Sequence, residues 1–204
     1  MPRLYFIRHG ETDWNREGRL QGQTDVPLND NGRRQAKAVA AHLVAPAVTG
    51  LDRDAFRKLP LYVSPMVRAQ ETTWIILEAL QMPDRGFITE DLLKEIGFGS
   101  WEGKTWPEIR TLDPRGAAAR DKDKWGFVPP EGENYEMVAD RVKRWIDTLS
   151  GDAVVVAHGG IARAILVLMA GYRRAEAVRA DIWQGKVLDV AAGNARWLPQ
   201  PGHH

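Results

Sequence analysis

The chain contains no cysteine in its 204 residues, which excludes disulfides, thiol nucleophiles and cysteine-ligated metal centres. It also lacks an apolar run approaching the roughly 20 residues that span a bilayer. Met1-Pro2-Arg3 leads into only four apolar residues, so no secretory signal is expected. A charge excess is missing too. Lys plus Arg number 28 against 27 Asp plus Glu, a net charge of +1, and bulk electrostatics therefore offer nothing to a nucleic acid or a membrane. Any preference for anions must come from locally placed arginines. No internal repeat, low-complexity block or linker interrupts the sequence. The want of cysteine is compatible with a reducing cytoplasm, the expected location.

What is present describes an ordinary soluble protein, with 44% hydrophobic and 27% charged residues, and a single domain over residues 1–204 is expected. The last residues, 200–204, read as a disordered tail, and His203 and His204 are set aside as native or tag-derived. Two stretches stand out. Leu4-Tyr5-Phe6-Ile7 reads as a short buried strand that stops at Arg8-His9-Gly10-Glu11, and Ala153-Val154-Val155-Val156-Ala157 runs directly into His158-Gly159-Gly160. A histidine beside an arginine at a strand's carboxyl end sits where open α/β sheets place their ligand crevices. Two apolar strands that each end in His-Gly are hard to explain as core packing.

Between these stretches, Arg16 to Asn31 is polar and turn-rich. Asn29 is suited to N-cap a helix running to about Val44, with Ala36, Val39, Ala40 and Leu43 on one face. The charged segment Asp52–Lys58 is expected to be exposed. Leu59–Val63 reads as a second buried strand, and Ser64-Pro65 as a helix start with Ser as N-cap and Pro at the first helical position. That helix carries Met66, Ala69, Thr73, Ile76, Leu77 and Leu80 inward, with Arg68 on its first turn. Residues 87–131 are predicted to be irregular and to cap a site. Tyr135, Val138, Val142, Trp145, Ile146 and Leu149 form an amphipathic stripe on a helix from about Asn134 to Leu149. A helix from Ile161 to about Met169 follows the second His-Gly strand. Two short strands near 181–190 and 196–198 finish the chain, one of them antiparallel at the end. The alternation predicts an α/β fold of three layers, a mainly parallel sheet with helices on both faces and a capping insertion over the strands' carboxyl ends.

The stretch Arg8-His9-Gly10-Glu11-Thr12-x-Trp14-Asn15 resembles the signature of the histidine phosphatase superfamily, the phosphoglycerate mutase-like proteins. Ser64-Pro65-x-x-Arg68-Ala69-x-x-Thr72, Glu95-Ile96-x-Phe98-Gly99-x-Trp101-Glu102-Gly103, Gly132-Glu133 and the second His-Gly match further family positions in order, so the resemblance spans nearly the whole chain. It implies phosphoryl transfer through a phosphohistidine with His9 as nucleophile. A neutral imidazole is a good nitrogen nucleophile, a covalent intermediate divides one hard displacement into two easier ones, and nearby arginines should keep the ring neutral. Arg8 and Arg68 suit the spreading phosphoryl charge because guanidinium offers a planar bidentate fork. The family match adds His158, as imidazolium or neutral donor, and Asn15 through its amide. Gln21, Gln23 and Thr24 match a family loop beside the phosphate, and Gly159 belongs with them as a phosphate-binding position.

The leaving alkoxide needs a proton, and the resemblance assigns that task to Glu95, with Phe98 and Trp101 expected to desolvate it. Glu11, Glu102 and Glu133 are alternatives, Glu102 more structural and Glu133 in a hydrogen-bond network near the entrance. No metal-ligand cluster and no cofactor are expected, since His42 stands alone and His9 and His158 are already employed. The expected activity is metal-independent phosphomonoester hydrolysis on a small phosphorylated metabolite, with neither nucleic acid nor membrane as partner and a homodimer left open. A cofactor-dependent phosphoglycerate mutase is the alternative. A silent phosphate-sensing or protein-binding member is a third reading, disfavoured because neither nucleophile nor arginine is missing. A mutase would need an extra basic pocket, and none is evident in the capping segment beyond Lys94, Lys104 and Arg110.

Overall fold

Strand β1 (Leu4–Arg8) obeys the two-residue alternation of a strand buried on both faces. Leu4 and Phe6 enter one apolar cluster while Tyr5 and Ile7 enter another. The computed structural model describes residues 1–198, so the expected tail at 200–204 lies outside the described residues. After β1 come a short helix α1 (Asp13–Arg16) and α2 (Asp30–Leu43), whose N-cap is Asn29, its Oδ1 accepting from Gly32 N at 2.9 Å. Helices α3 (Pro46–Thr49) and α4 (Arg53–Lys58) lead to β2 (Leu61–Val63), α5 (Val67–Ala79) and the two-residue strand β3 (Ile88–Thr89). Two 3-10 turns, Asp91–Leu93 and Gly99–Trp101, precede α6 (Trp106–Leu112) and α7 (Pro114–Lys122). Then follow α8 (Tyr135–Ile146), β4 (Ala153–Ala157), α9 (Gly159–Ala170), α10 (Arg174–Ala177) and the pair β5 (Val187–Ala191) and β6 (Asn194–Trp197).

The six strands run in the order β3-β2-β4-β1-β5-β6. The first four are mutually parallel, and β5 and β6 add antiparallel neighbours at one edge. Helices α2 and α5 cover one face through Val39, Leu43, Ile76 and Leu77, against Tyr5, Ile7, Val154 and Val156. Helices α8 and α9 cover the other through Val138, Trp145, Ile161 and Ile165, against Leu4, Phe6 and Val155. The three-layer arrangement follows because β4, apolar at every position, must be covered on both faces. No described helix is long and apolar enough to cross a membrane.

Several local expectations need correction. Asp52–Lys58 is not simply exposed: Asp52 caps α4, and Phe56 on that helix is fully buried in the α2–α5 layer. Ser64 is not an N-cap. Helix α5 starts at Val67, and Asp25 from a distant loop supplies the carboxylate, its Oδ1 accepting from Val67 N at 2.9 Å. Residues 87–131 are more ordered than predicted, because Thr105 and Asp113 cap α6 and α7 and Trp101, Ile109 and Ala117 form a small core of their own. As expected, one of the final strands runs against the sheet: β5 is antiparallel to β1, and β6, antiparallel to β5, returns to the direction of the first four.

Candidate active site

Strand register brings the two His-Gly stretches together. β1 and β4 are adjacent and parallel with Arg8 opposite Ala157, and His9 N donates to Ala157 O at 2.9 Å. The residues that follow, His9 and His158, therefore leave the sheet side by side, their ring centroids 5.1 Å apart. On the other side of β4, Ser64 N donates to Val156 O, and Ser64 Oγ lies 2.7 Å from His158 Nε2. Ser64 thus braces a ring rather than a helix. Thr72 on α5 ties in as well: its hydroxyl donates to Arg68 O at 2.7 Å and accepts from Gly10 N at 3.0 Å.

His9 is buried, and its Nδ1 lies 2.7 Å from Gly10 O. A carbonyl oxygen only accepts, so Nδ1 carries the hydrogen and Nε2 keeps its lone pair. Burial, reinforced by the Arg68 and Arg8 guanidiniums, holds His9 well below the usual imidazole range. His158 is driven the same way by burial, then by Arg68, His9 and Arg8. Both rings are neutral at neutral pH. Of the two characters expected of His158, the direction favours the uncharged ring over the imidazolium.

Arg68 is fully buried, donating from Nη1 to Thr24 O at 2.9 Å and from Nη2 to Gly22 O at 2.7 Å. Arg8 donates from Nη1 to Ile182 O at 2.8 Å. The Nε of each is buried without a partner. Burial pulls Arg8 down to about 10 against the attraction of Glu95, with Arg163 and Arg68 adding to the shift, and burial likewise lowers Arg68. Both stay cationic at neutral pH and are incompletely satisfied, the condition of groups awaiting an anion.

These side chains surround a cavity of about 160 Å³ lined by Arg8, His9, Asn15, Gln21, Arg68 and Glu95 together with Gly159 and Gly160. Glu95 stands at the N-terminus of α9, its Oε1 accepting from Gly160 N and from Ile96 N, each at 2.9 Å. A Cβ at position 160 would lie 2.4 Å from Glu95 Oε1, so glycine there permits the approach. Trp101 belongs to the small capping core instead of covering Glu95, while Phe98 lines the cavity as expected.

Gln23, Thr24 and His158 do not line the cavity. Thr24 Oγ1 donates to Glu102 Oε2 at 2.6 Å, and Gln23 Nε2 donates to Glu95 O at 3.1 Å and Glu133 Oε2 at 3.2 Å. Glu102 Oε1 accepts from Gln23 N and Phe98 N, and Glu133 Oε2 accepts from Gly97 N. Arg141 on α8 closes the network with Leu92 O, Glu95 O and Glu133. The loop that holds Arg68 is thereby laced to the segment that holds Glu95. Glu11 Oε1 instead accepts from Asn29 Nδ2.

Sequence reading missed Arg19, Tyr135 and Arg163, which line the cavity, and Gln184, which reaches Asn15 from a loop before β5. Only Arg163, five residues past the second His-Gly histidine, carried a signal, since a helix places that position one turn on from Gly159. The cap's Lys94, Lys104 and Arg110 are occupied elsewhere, by Asp91, Ser100 O and Asp121 respectively. Among the described residues no group of three or more His, Asp or Glu could hold a metal ion.

A family model described as the histidine phosphatase superfamily (branch 1) matches residues 4–198. A metal-independent phosphoserine phosphatase of Arabidopsis thaliana is 33% identical across 79% of this chain and 66% of its own length. A glucosyl-3-phosphoglycerate phosphatase of Mycolicibacterium vanbaalenii is 31% identical across 98% of this chain and 84% of its own. A 2,3-bisphosphoglycerate-dependent phosphoglycerate mutase of Gloeobacter violaceus is 32% identical across 82% and 75%. Among solved structures, the alpha-ribazole phosphatase of Shigella flexneri superposes with a TM-score of 0.76 at 28% identity, covering 96% of this chain and 95% of that one. Sheet order, paired histidines and whole-length similarity agree, and the chain belongs to branch 1 of the histidine phosphatase superfamily.

Proposed function

We infer that the protein is a phosphomonoester hydrolase that removes a phosphoryl group from a small metabolite through a phosphohistidine on His9. The observation that carries this reading is the His9–Gly10 hydrogen bond of 2.7 Å, which leaves a neutral nitrogen lone pair beside two under-satisfied arginines. In the first step the Nε2 lone pair forms an N–P bond as the ester P–O bond breaks. The leaving oxygen takes a proton from Glu95, whose Oε2 makes no hydrogen bond among the described residues while Oε1 is anchored. In the second step Glu95 accepts a proton from water, the water oxygen attacks phosphorus, and the N–P electron pair returns to Nε2 with release of inorganic phosphate. Arg8 and Arg68 meet the charge on the transferring oxygens, with Asn15, Gln21 and the Gly159 amide as further donors. His158 supports the His9 ring from behind.

Phosphoglycerate mutase chemistry is the second reading, favoured by the similarity to a mutase and by Arg19 and Arg163 at the cavity. Hydrolysis is preferred because Lys94, Lys104 and Arg110 of the cap are engaged with the cap itself rather than turned to hold a dephosphorylated intermediate against water. Incubation with 3-phosphoglycerate and catalytic 2,3-bisphosphoglycerate separates the two. Phosphate release with little 2-phosphoglycerate is expected; rapid 2-phosphoglycerate formation without phosphate would replace the hydrolase by the mutase. Mass spectrometry after a substrate quench should find an acid-sensitive, base-stable phosphate on His9, and label on His158 or a serine would refute the assigned nucleophile.

A further inference from the structure

The orientation of the Asn15 and Gln184 side-chain amides follows from one backbone N–H. Thr12 N can only donate, and it lies 3.2 Å from an Asn15 side-chain atom, which must therefore be Oδ1. The Gln184 atom 2.9 Å from that same oxygen must then be the donor Nε2. Asn15 N, also an obligate donor, points at Thr12 Oγ1 at 3.2 Å. The Thr12 hydroxyl accepts there and has two acceptors within reach of its single hydrogen, Gln21 Oε1 at 2.9 Å and Asn15 Oδ1 at 3.2 Å.

The carbonyl end of Asn15 is thus turned into the protein. Among the described residues neither Asn15 Nδ2 nor Gln21 Nε2 donates to a protein acceptor, and neither is a buried orphan. Both residues line the cavity. The Asn15 NH2 group remains open to it as a donor, the polarity an anion needs. Gln184 is half-buried and fixed from behind, its backbone bridging that of Arg8 at the end of β1.

We propose that Gln184 is a positioning residue for phosphoryl binding, holding Asn15 Oδ1 so that the Asn15 NH2 faces the cavity. The inference rests on the phosphatase reading. Without Gln184 the Asn15 amide keeps only the two long contacts of 3.2 Å from Thr12 N and the Thr12 hydroxyl. With an acceptor in place of the Gln184 donor, the Asn15 amide turns over to give its NH2 to that acceptor. It then presents Oδ1 to the incoming anion, replacing attraction by repulsion.

Calorimetric titration of inorganic phosphate into wild type, Gln184→Glu, Gln184→Met, Asn15→Ala and the double variant Asn15→Ala/Gln184→Glu tests this, with thermal unfolding recorded on each sample. A hydrogen bond to a charged group corresponds to about a 10- to 100-fold change in binding, the loss expected for Gln184→Glu. Gln184→Met should lose less, at a similar unfolding temperature. In the Asn15→Ala background, Gln184→Glu should add nothing, because the residue acts through Asn15. The inference is overturned by wild-type affinity in Gln184→Glu, by equal losses in the Glu and Met variants that track unfolding temperature, or by an undiminished loss without Asn15. A wild-type protein that binds no phosphate would instead overturn the phosphatase reading itself, and this inference with it.

Discussion

His9 Nδ1 and the carbonyl oxygen of Gly10, its own chain neighbour, are 2.7 Å apart. So short a loop fixes the tautomer locally, without a carboxylate. Because the partner is neutral, nothing raises the imidazole's basicity enough to offset burial and the two arginines. A ring placed this way attacks as a free base over a wide pH range.

That electrostatic arrangement has a cost in acid. His9 and His158 are both held well below the ordinary imidazole value of 6.5 in the fold. Below about pH 6.5 the unfolded chain binds protons that the folded chain does not, so stability is full above that pH and falls as pH drops. The slope is up to about 1.4 kcal/mol per pH unit for each ring. Denaturant unfolding of wild type between about pH 7.5 and 5 should show this slope, and His9→Gln/His158→Gln should flatten it. Parallel slopes in the two proteins would show that the rings do not carry the effect.

Glu95→Gln keeps a side chain able to meet the α9 N-terminus but cannot give up a proton. Turnover of alkyl phosphates should fall by about 10²- to 10⁴-fold, while p-nitrophenyl phosphate, whose leaving group needs little protonation, loses far less. Comparison of kcat on the two ester classes checks it. Equal losses would leave Glu95 a helix cap only.

Gly160→Ala should imitate that pattern from a distance. The added Cβ would sit 2.4 Å from Glu95 Oε1 and 2.9 Å from Ile96 Cγ2, and the movable carboxylate gives way before the helix does. Alkyl phosphate turnover is expected to fall by more than about tenfold, with a smaller loss on p-nitrophenyl phosphate. A variant with wild-type leaving-group dependence would show that Glu95 tolerates displacement.

Where local chemistry decides, the sequence was explicit. The β4 run Ala153–Ala157, the Asn29 cap and the apolar stripe of α8 are properties of short stretches, and each emerged within a few residues of its expected place. Arg8, His9 and Arg68 stood out by their places at a strand end and a helix start, Glu95 only through the resemblance to the histidine phosphatase superfamily, and the structure brings all four to one cavity. The loop residues Gln23 and Thr24 were legible only as polar. Whether they face a ligand or lace Glu95 and Glu102 together depends on which loop crosses them.

The sequence alone determined which side chains were available for the chemistry and which strands would carry them to the sheet's edge, because those follow from residue type and from two- and 3.6-residue periodicities. Only tertiary structure decided their company. Strand order put His9 beside His158, and the parallel β2–β4 pairing turned Ser64 from an expected helix cap into a support for that second ring. Gln184 reached Asn15 across 169 residues. Such pairings rest on sheet order and loop crossings, which have no period for a sequence to display.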